Sequence, residues 1–192
     1  MGVATRLTSM DPVAPMRWTL EDYHRAIDAG LFDDRHVELV DGEIYEMPPM
    51  RDPHIGAAMH LERAFAPLLA SNQLRIDKPI ILPQDGEPEP DIAVVREGAP
   101  LKPYVDDVLL AIEVSHATRR FDRGLKLEAY LRDSLRELWI VDIAVRELLV
   151  YRDGELTATF RPGQGRRITG VQVPDITVDV DALFAAAGPA EG

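Results

Sequence analysis

Residues Val108 to Val114 form a nearly continuous apolar run, the pattern of a strand covered on both faces, yet a carboxylate, Glu113, sits near its end. An ionised carboxylate buried without a partner costs several kcal/mol, so any fold containing this strand must supply Glu113 with a cation, a proton or a donor. A second apolar run, Asp91-Ile-Ala-Val-Val95, opens on an acid directly after Pro90. From Phe121 the pattern turns helical through about Asp133, with Leu125, Leu127, Ala129 and Leu131 available for packing. Asp122, Lys126 and Tyr130 fall at spacings of four and share one stripe of that helix. Alone, such a stripe reads as an exposed ion pair topped by a tyrosine, which contributes little. Beside Asp91 and Glu113 it offers a lysine to two strand-end acids, the parts of a metal-dependent site that cleaves phosphodiesters.

Other elements frame this centre. Thr19 followed by Asp22 resembles a capping box, and Leu20, Tyr23, His24 and Ile27 then share a helical face that Gly30 ends. In His36 to Met47, the Asp41-Gly42 pair supplies the positive backbone angles of a two-residue hairpin turn. That register sets Glu38 opposite Tyr45, with Leu39 and Ile44 on the other face. Glu38 is therefore either an ordinary polar-face residue, the commoner case, or a further acid aimed at the site.

Asp52-Pro53 starts a helix expected to reach about Ser71, with Ile55, Ala58, Met59, Phe65, Leu68 and Leu69 as its core stripe. His54 stands at its beginning, where it could contact a phosphate or a site water, although such a residue is more often a local hydrogen-bonding group. His54 and His60 point from different faces, which disfavours a two-histidine metal site. Arg75 to Leu82 is a strand candidate, as are Glu137 to Asp142, Glu147 to Tyr151 and Glu155 to Phe160. Pro162 to Gly165 reads as a loop and Asp179 to Ala187 as a short terminal helix. These later segments read chiefly as scaffold.

The chain has 192 residues, enough for one domain with a real core, and its formal charge is −12. That charge argues against a broad, sequence-independent grip on a nucleic-acid backbone, which rests on lysines and arginines displacing counterions. The segment Arg119 to Lys126 is locally basic, though each arginine there reads first as part of a solvated face. Without cysteine there is no disulfide, thiolate zinc site or cysteine nucleophile, which fits a reducing cytoplasm. No stretch reads as a signal peptide or as a membrane span. The expected organisation is a flexible tail over residues 1–16, one domain over 17–186 and a C-terminal tail over 187–192.

Pro90-Asp91 followed by Glu113-Val114-Ser115 resembles the PD-(D/E)XK restriction-endonuclease-like superfamily. Glu38-Leu-Val-Asp-Gly-Glu43, Pro90 to Val95, Ile112 to Ser115, Asp122-Arg-x-x-Lys126-x-x-x-Tyr130 and Glu137 to Asp142 are similar, in order and spacing, to the Uma-two family of bacterial endonucleases. The likeness spans roughly residues 17 to 184. It departs from the superfamily pattern at one place, because Ser115 stands where a lysine is usual and Lys126 matches a lysine moved to the following helix. A long flexible stem can carry an ammonium to the same point.

The resemblance implies an α/β, restriction-endonuclease-like fold with a central mixed β-sheet flanked by α-helices. It implies a metal-dependent endonuclease acting on DNA, as a homodimer with two sites; the cytoplasmic expectation rests on composition. Asp91, Glu113 and Lys126 would be catalytic, with Asp91, Glu113 and the carbonyl of Val114 holding Mg2+ or Mn2+. Glu38, His54, Ser115 and Tyr130 would support them. Two alternatives remain: a catalytically silent nucleic-acid-binding or protein-interaction module, and a phosphodiesterase acting on RNA or a small nucleotide.

Overall fold

The computed structural model describes residues 14–189. Six strands form a mixed sheet in the order β3 (Leu74–Ile76), β4 (Ile92–Val95), β5 (Val108–Ser115), β6 (Glu137–Asp142), β7 (Glu147–Arg152) and β8 (Glu155–Phe160). Only β5 and β6 run parallel; the other neighbours are antiparallel. The parallel pair needs a crossover, which the segment carrying α3 (Arg119–Asp122) and α4 (Leu125–Arg132) provides. The fold is thus α/β with a central mixed sheet and flanking helices, as the sequence implies.

Strand alternation divides the interior in two. Ile92, Val94, Ile112, Val114, Trp139 and Val141 face α2 (Asp52–Phe65) and α5 (Val180–Ala186). Ala93, Val95, Ala111, Leu138 and Ile140 face the other way, against Ala129 and Tyr130 of α4. Glu113 has the parity of Ala111, so it points to the α4 side. Ile92 pairs with Ile112, which makes Asp91 and Glu113 the next opposed positions. The sheet's two neighbouring strand ends therefore deliver both acids to one place.

A hairpin of β1 (Val37–Val40) and β2 (Glu43–Glu46) turns at Asp41 and Gly42, whose φ angles are 51° and 70°. Its register pairs Glu38 with Tyr45 and Leu39 with Ile44, as expected. The Leu39 face packs on Tyr23 of α1 (Leu20–Asp28), whose N-cap Thr19 accepts from the Asp22 amide. Ile27, assigned to that helix's packed face, is instead 42% exposed.

Several boundaries differ from expectation, each for a local reason. The helix from Asp52 ends at Phe65 and tightens into a 3-10 turn over Ala66–Leu69, rather than continuing to Ser71. Pro67 lacks the amide that an α-helix would need there and crowds the preceding turn. Its buried stripe is Ala57, Ala58, Leu61 and Phe65, whereas Ile55, Met59 and Leu69 are exposed. The rotation follows from close approach to α5, since a Cβ on Gly56 would lie 2.1 Å from the Ala186 carbonyl oxygen.

The helix expected over Phe121 to Asp133 is two helices, α3 and α4. They are interrupted where Gly124 takes φ −120° and ψ −106°, and a Cβ there would meet the Arg120 carbonyl oxygen at 2.6 Å. Leu125, assigned to packing, is 44% exposed. The strand expected over Arg75 to Leu82 stops at Ile76, because Asp77 turns with φ 47° and Pro79 has no amide to donate. A second hairpin, β9 (Arg167–Gly170) with β10 (Val173–Asp179), is absent from the sequence reading. Of the expected N-terminal tail, residues 1–13 lie outside the described residues, and Ala14, Pro15 and Met16 are exposed. At the other end packing runs past residue 186, for Ala187 is buried and Arg146 donates to the Gly188 carbonyl at 2.8 Å.

Candidate active site

Three elements converge on the α4 side of the β4 and β5 ends: the hairpin strand β1 with Glu38, the sheet with Asp91 and Glu113, and the helices α3 and α4 with Asp122 and Lys126. Lys126 is buried between Glu38 and Glu113, its Nζ 3.0 Å from Glu38 Oε2 and 3.1 Å from Glu113 Oε1. It also donates to the Glu89 carbonyl at 3.3 Å. Tyr130 Oη donates to Glu113 Oε1 at 2.6 Å, so both ends of the Asp122, Lys126 and Tyr130 stripe reach the site. The reading of this stripe as an exposed ion pair is overturned: Lys126 is 3% exposed and Tyr130 fully buried. Glu38 likewise is not an ordinary polar-face residue but an acid turned inward onto Lys126.

Asp91 is fixed through both oxygens. The Val114 amide donates to Oδ2 at 2.7 Å, and His54 Nε2 lies 2.6 Å from Oδ1. His54 reaches it from the first turn of α2. Asp122 accepts from Thr118 Oγ1 at 2.6 Å. Ser115 is fully buried at the end of β5. The sequence reading names Asp122 in the stripe but gives it no role. Its position four residues before Lys126 was the available signal.

The electrostatics follow from burial. Glu38, Asp91, Glu113 and Asp122 are each at most 7% exposed, and Lys126 is the one buried ammonium among them. Desolvation pushes the Glu113 carboxyl well above the usual range, opposed by Lys126 and reinforced by Asp91, Asp122 and Glu38. Glu38 and Asp122 are raised for the same first reason, with Lys126 again opposing. Burial would push Lys126 down, but Glu113, Glu38 and Asp122 outweigh it and hold the side chain above the ordinary lysine value. Lys126 is therefore a firm cation. Burial also works against a charged His54, and the bond to Asp91 overrides it to raise the ring.

These groups line a cleft of about 340 Å³. Its lining holds eight acidic residues but only three lysines or arginines, together with the apolar Met47, Pro48, Pro49 and Met50. Among the described residues no group of three or more His, Cys, Asp or Glu side chains is arranged to hold a metal. Asp91 and Glu113, on opposed strand ends, are two hard-oxygen carboxylates that could hold a cation. That number suits an ion such as Mg2+, which keeps several waters and is bound by one or two carboxylates rather than by a closed protein cage.

The basic segment resolves into two kinds of arginine. Arg119 Nε and Arg123 Nη1 converge on Asp142 Oδ2 at 2.6 and 2.8 Å, and Asp142 is fully buried at the end of β6, beside Ser115. Arg119 and Arg123 are thus anchored by ion pairs, although Arg119, like Arg120, is exposed. No described helix is long and apolar enough to cross a membrane.

The model of the family Uma2, described as "Putative restriction endonuclease", matches residues 20–181. A search of curated proteins found no match. Among solved structures, the fold is similar to that of a putative nuclease belonging to DUF820 from Anabaena variabilis ATCC 29413. The TM-score is 0.70 at 14% identity, covering 90% of this chain and 99% of that one.

Proposed function

The chain belongs to the Uma2 family of restriction-endonuclease-like proteins, and from that premise we propose that it is a metal-dependent endonuclease hydrolysing phosphodiester bonds in DNA. The observation that carries this reading is a cluster of four buried carboxylates, Glu38, Asp91, Glu113 and Asp122, in a cleft with a single buried ammonium, Lys126, which pairs with Glu38 and Glu113. A protein that needed these acids only for stability would gain little from such an imbalance, since buried charges are costly unless fully compensated.

Asp91, Glu113 and the Val114 carbonyl are the groups that would hold Mg2+ or Mn2+. Such an ion supplies Lewis acidity, lowering the pKa of a bound water and neutralising charge on the phosphate. The protein's own groups do the rest. The Val114 amide and His54 fix the Asp91 carboxylate, and because a carboxylate has about four lone-pair sites, both bonds leave Asp91 able to coordinate. Tyr130 orients Glu113 by its short hydrogen bond. Lys126, charged through the physiological range, cannot take a proton from water. Its role is to hold Glu38 and Glu113 in place and to stabilise negative charge that grows on the phosphoryl oxygens in the transition state. The four acids and Lys126 all come from one chain, so a site cutting one strand is complete without a second copy. A homodimer would serve to pair two such sites.

The net charge of −12 favours one other reading, a module that retains the fold without catalysis. The test is cleavage of supercoiled plasmid and of single-stranded DNA with Mg2+, Mn2+ or chelator, beside Asp91→Asn and Lys126→Ala. Metal-dependent cutting lost in both variants supports the nuclease. Absence of cutting, with no Mn2+ taken up in calorimetry, supports the module.

A further inference from the structure

Four apolar residues in sequence, Met47-Pro48-Pro49-Met50, form the irregular link between β2 and α2, and all four line the cleft that holds Asp91, Glu113 and Lys126. Pro48, Pro49 and Met50 are exposed, and Met50 is 48% exposed, without belonging to any of the packed cores. The two prolines fix φ and donate no amide, so the segment presents its side chains on a stiff backbone. Exposed apolar groups at the wall of a polar cleft call for an occupant that has an apolar face and a charged end.

Charge narrows the occupant further. A duplex is gripped through many phosphate contacts from lysine and arginine. Here the cleft supplies three such side chains against eight acids. Lys126 is consumed by Glu38 and Glu113, and the Arg35 guanidinium stands 3.9 Å from Glu46. Arg51 is exposed, and its guanidinium has no partner among the described residues. Among the described lining residues, one arginine left without a partner can meet one or two phosphates, not the two backbones of a duplex. The volume, about 340 Å³, also lies at the small end of pockets for single molecules, roughly 300–1,000 Å³.

We propose, building on the nuclease reading, that this cleft takes one unpaired nucleotide of a DNA strand. The base lies against the Met47–Met50 wall, the scissile phosphate sits at Asp91 and Glu113, and Arg51 holds a neighbouring phosphate. Affinity then comes chiefly from contact with the base face, which is the sequence-tolerant way single strands are held. Paired DNA is a substrate only where a base is already unstacked, because extruding one from a duplex costs a few kcal/mol.

The test uses the full chain and fluorescein-labelled DNA 12-mers, single-stranded or fully paired. Anisotropy is read in Ca2+ and cleavage in Mg2+, for the wild type, Met50→Ser, Met50→Phe and Arg51→Ala. Met50 and Arg51 are exposed, so folding is retained. Single strands should bind at least about tenfold more tightly than duplex. Met50→Ser should weaken single-strand binding about five- to tenfold, and Met50→Phe should restore or tighten it, as expected for loss and gain of one base contact. Arg51→Ala should weaken binding and flatten its salt dependence. Equal or tighter duplex binding, or indifference to Met50→Ser, would overturn the proposal even if metal-dependent cutting is observed. Single-strand binding with this variant pattern but no cutting would uphold the seat while removing the nuclease. Failure to bind either DNA would overturn the seat.

Discussion

Replacing Lys126 by methionine keeps an unbranched apolar stem only one atom shorter while deleting the charge, and the outcome can be worked from the site. The substitution leaves Glu38 and Glu113, 3% and 4% exposed, without their shared cation and next to Asp91 and Asp122. Removing one partner of a buried ion pair costs about 3–5 kcal/mol. For a chain of this size each kcal/mol moves Tm by about 2–4 °C, so the variant should melt roughly 10 °C lower at pH 8 in chelator.

The loss should depend on pH in a definite direction. Without Lys126 the folded-state pKa values of Glu38 and Glu113 rise further above those of the unfolded chain, so the folded state binds more protons between the two. Stability of the variant is then greatest below the unfolded carboxyl pKa and falls as pH rises through the folded one. The gap from wild type should therefore narrow at pH 5 and widen at pH 8. Mg2+ should stabilise the variant more than the wild type, since the ion then supplies missing positive charge. Thermal melts by circular dichroism at both pH values, with chelator or Mg2+, make the measurement. A change below about 1 kcal/mol, unaffected by pH, would refute the claim that Lys126 is a buried counter-ion.

Tyr130→Phe removes the donor to Glu113 Oε1 inside the core and should cost about 1–3 kcal/mol in urea unfolding, with a matching fall in metal-dependent cleavage. Gly56→Ala places a methyl where the Ala186 carbonyl oxygen lies 2.1 Å away. The overpacking should cost about 1–3 kcal/mol without touching the cleft, read as lower Tm with Mn2+ affinity retained. Asp142→Asn loosens Arg119 and Arg123. Burial would raise the Asp142 carboxyl, but the two arginines outweigh it and lower the pKa, so its contribution is present above the unfolded carboxyl pKa and disappears as pH falls through the folded one. Both arginines are partly exposed, so the loss at pH 7 should be only about 1 kcal/mol, shrinking in melts taken at pH values below the unfolded carboxyl pKa.

Local patterns in the chain were enough to specify many parts. The apolar run with Glu113 near its end, Asp91 opening the next run, and the Asp41-Gly42 turn that sets the parity of Glu38 are all governed by neighbours a few residues away. Strand alternation and turn geometry act at that range, so these features were legible from residues alone. The stripe of Asp122, Lys126 and Tyr130 was legible as a stripe but not as a site, because its two readings differ only in whether the helix is buried against the acids. That depends on the β5 to β6 crossover, a contact between distant parts of the chain.

Other features needed the packed molecule altogether. Which face of the helix from Asp52 is buried was decided by Gly56 approaching Ala186, 130 positions further along the sequence. The Met47 to Met50 wall carries no periodic signal and acquires meaning only because the chain fold sets it in the cleft with Asp91 and Glu113. The sequence by itself determined which groups must be compensated, since a carboxylate in an apolar strand demands a partner wherever it is placed. The tertiary structure decided which partners those are, because desolvation and ion pairing depend on distances that only the assembled sheet, hairpin and helices establish.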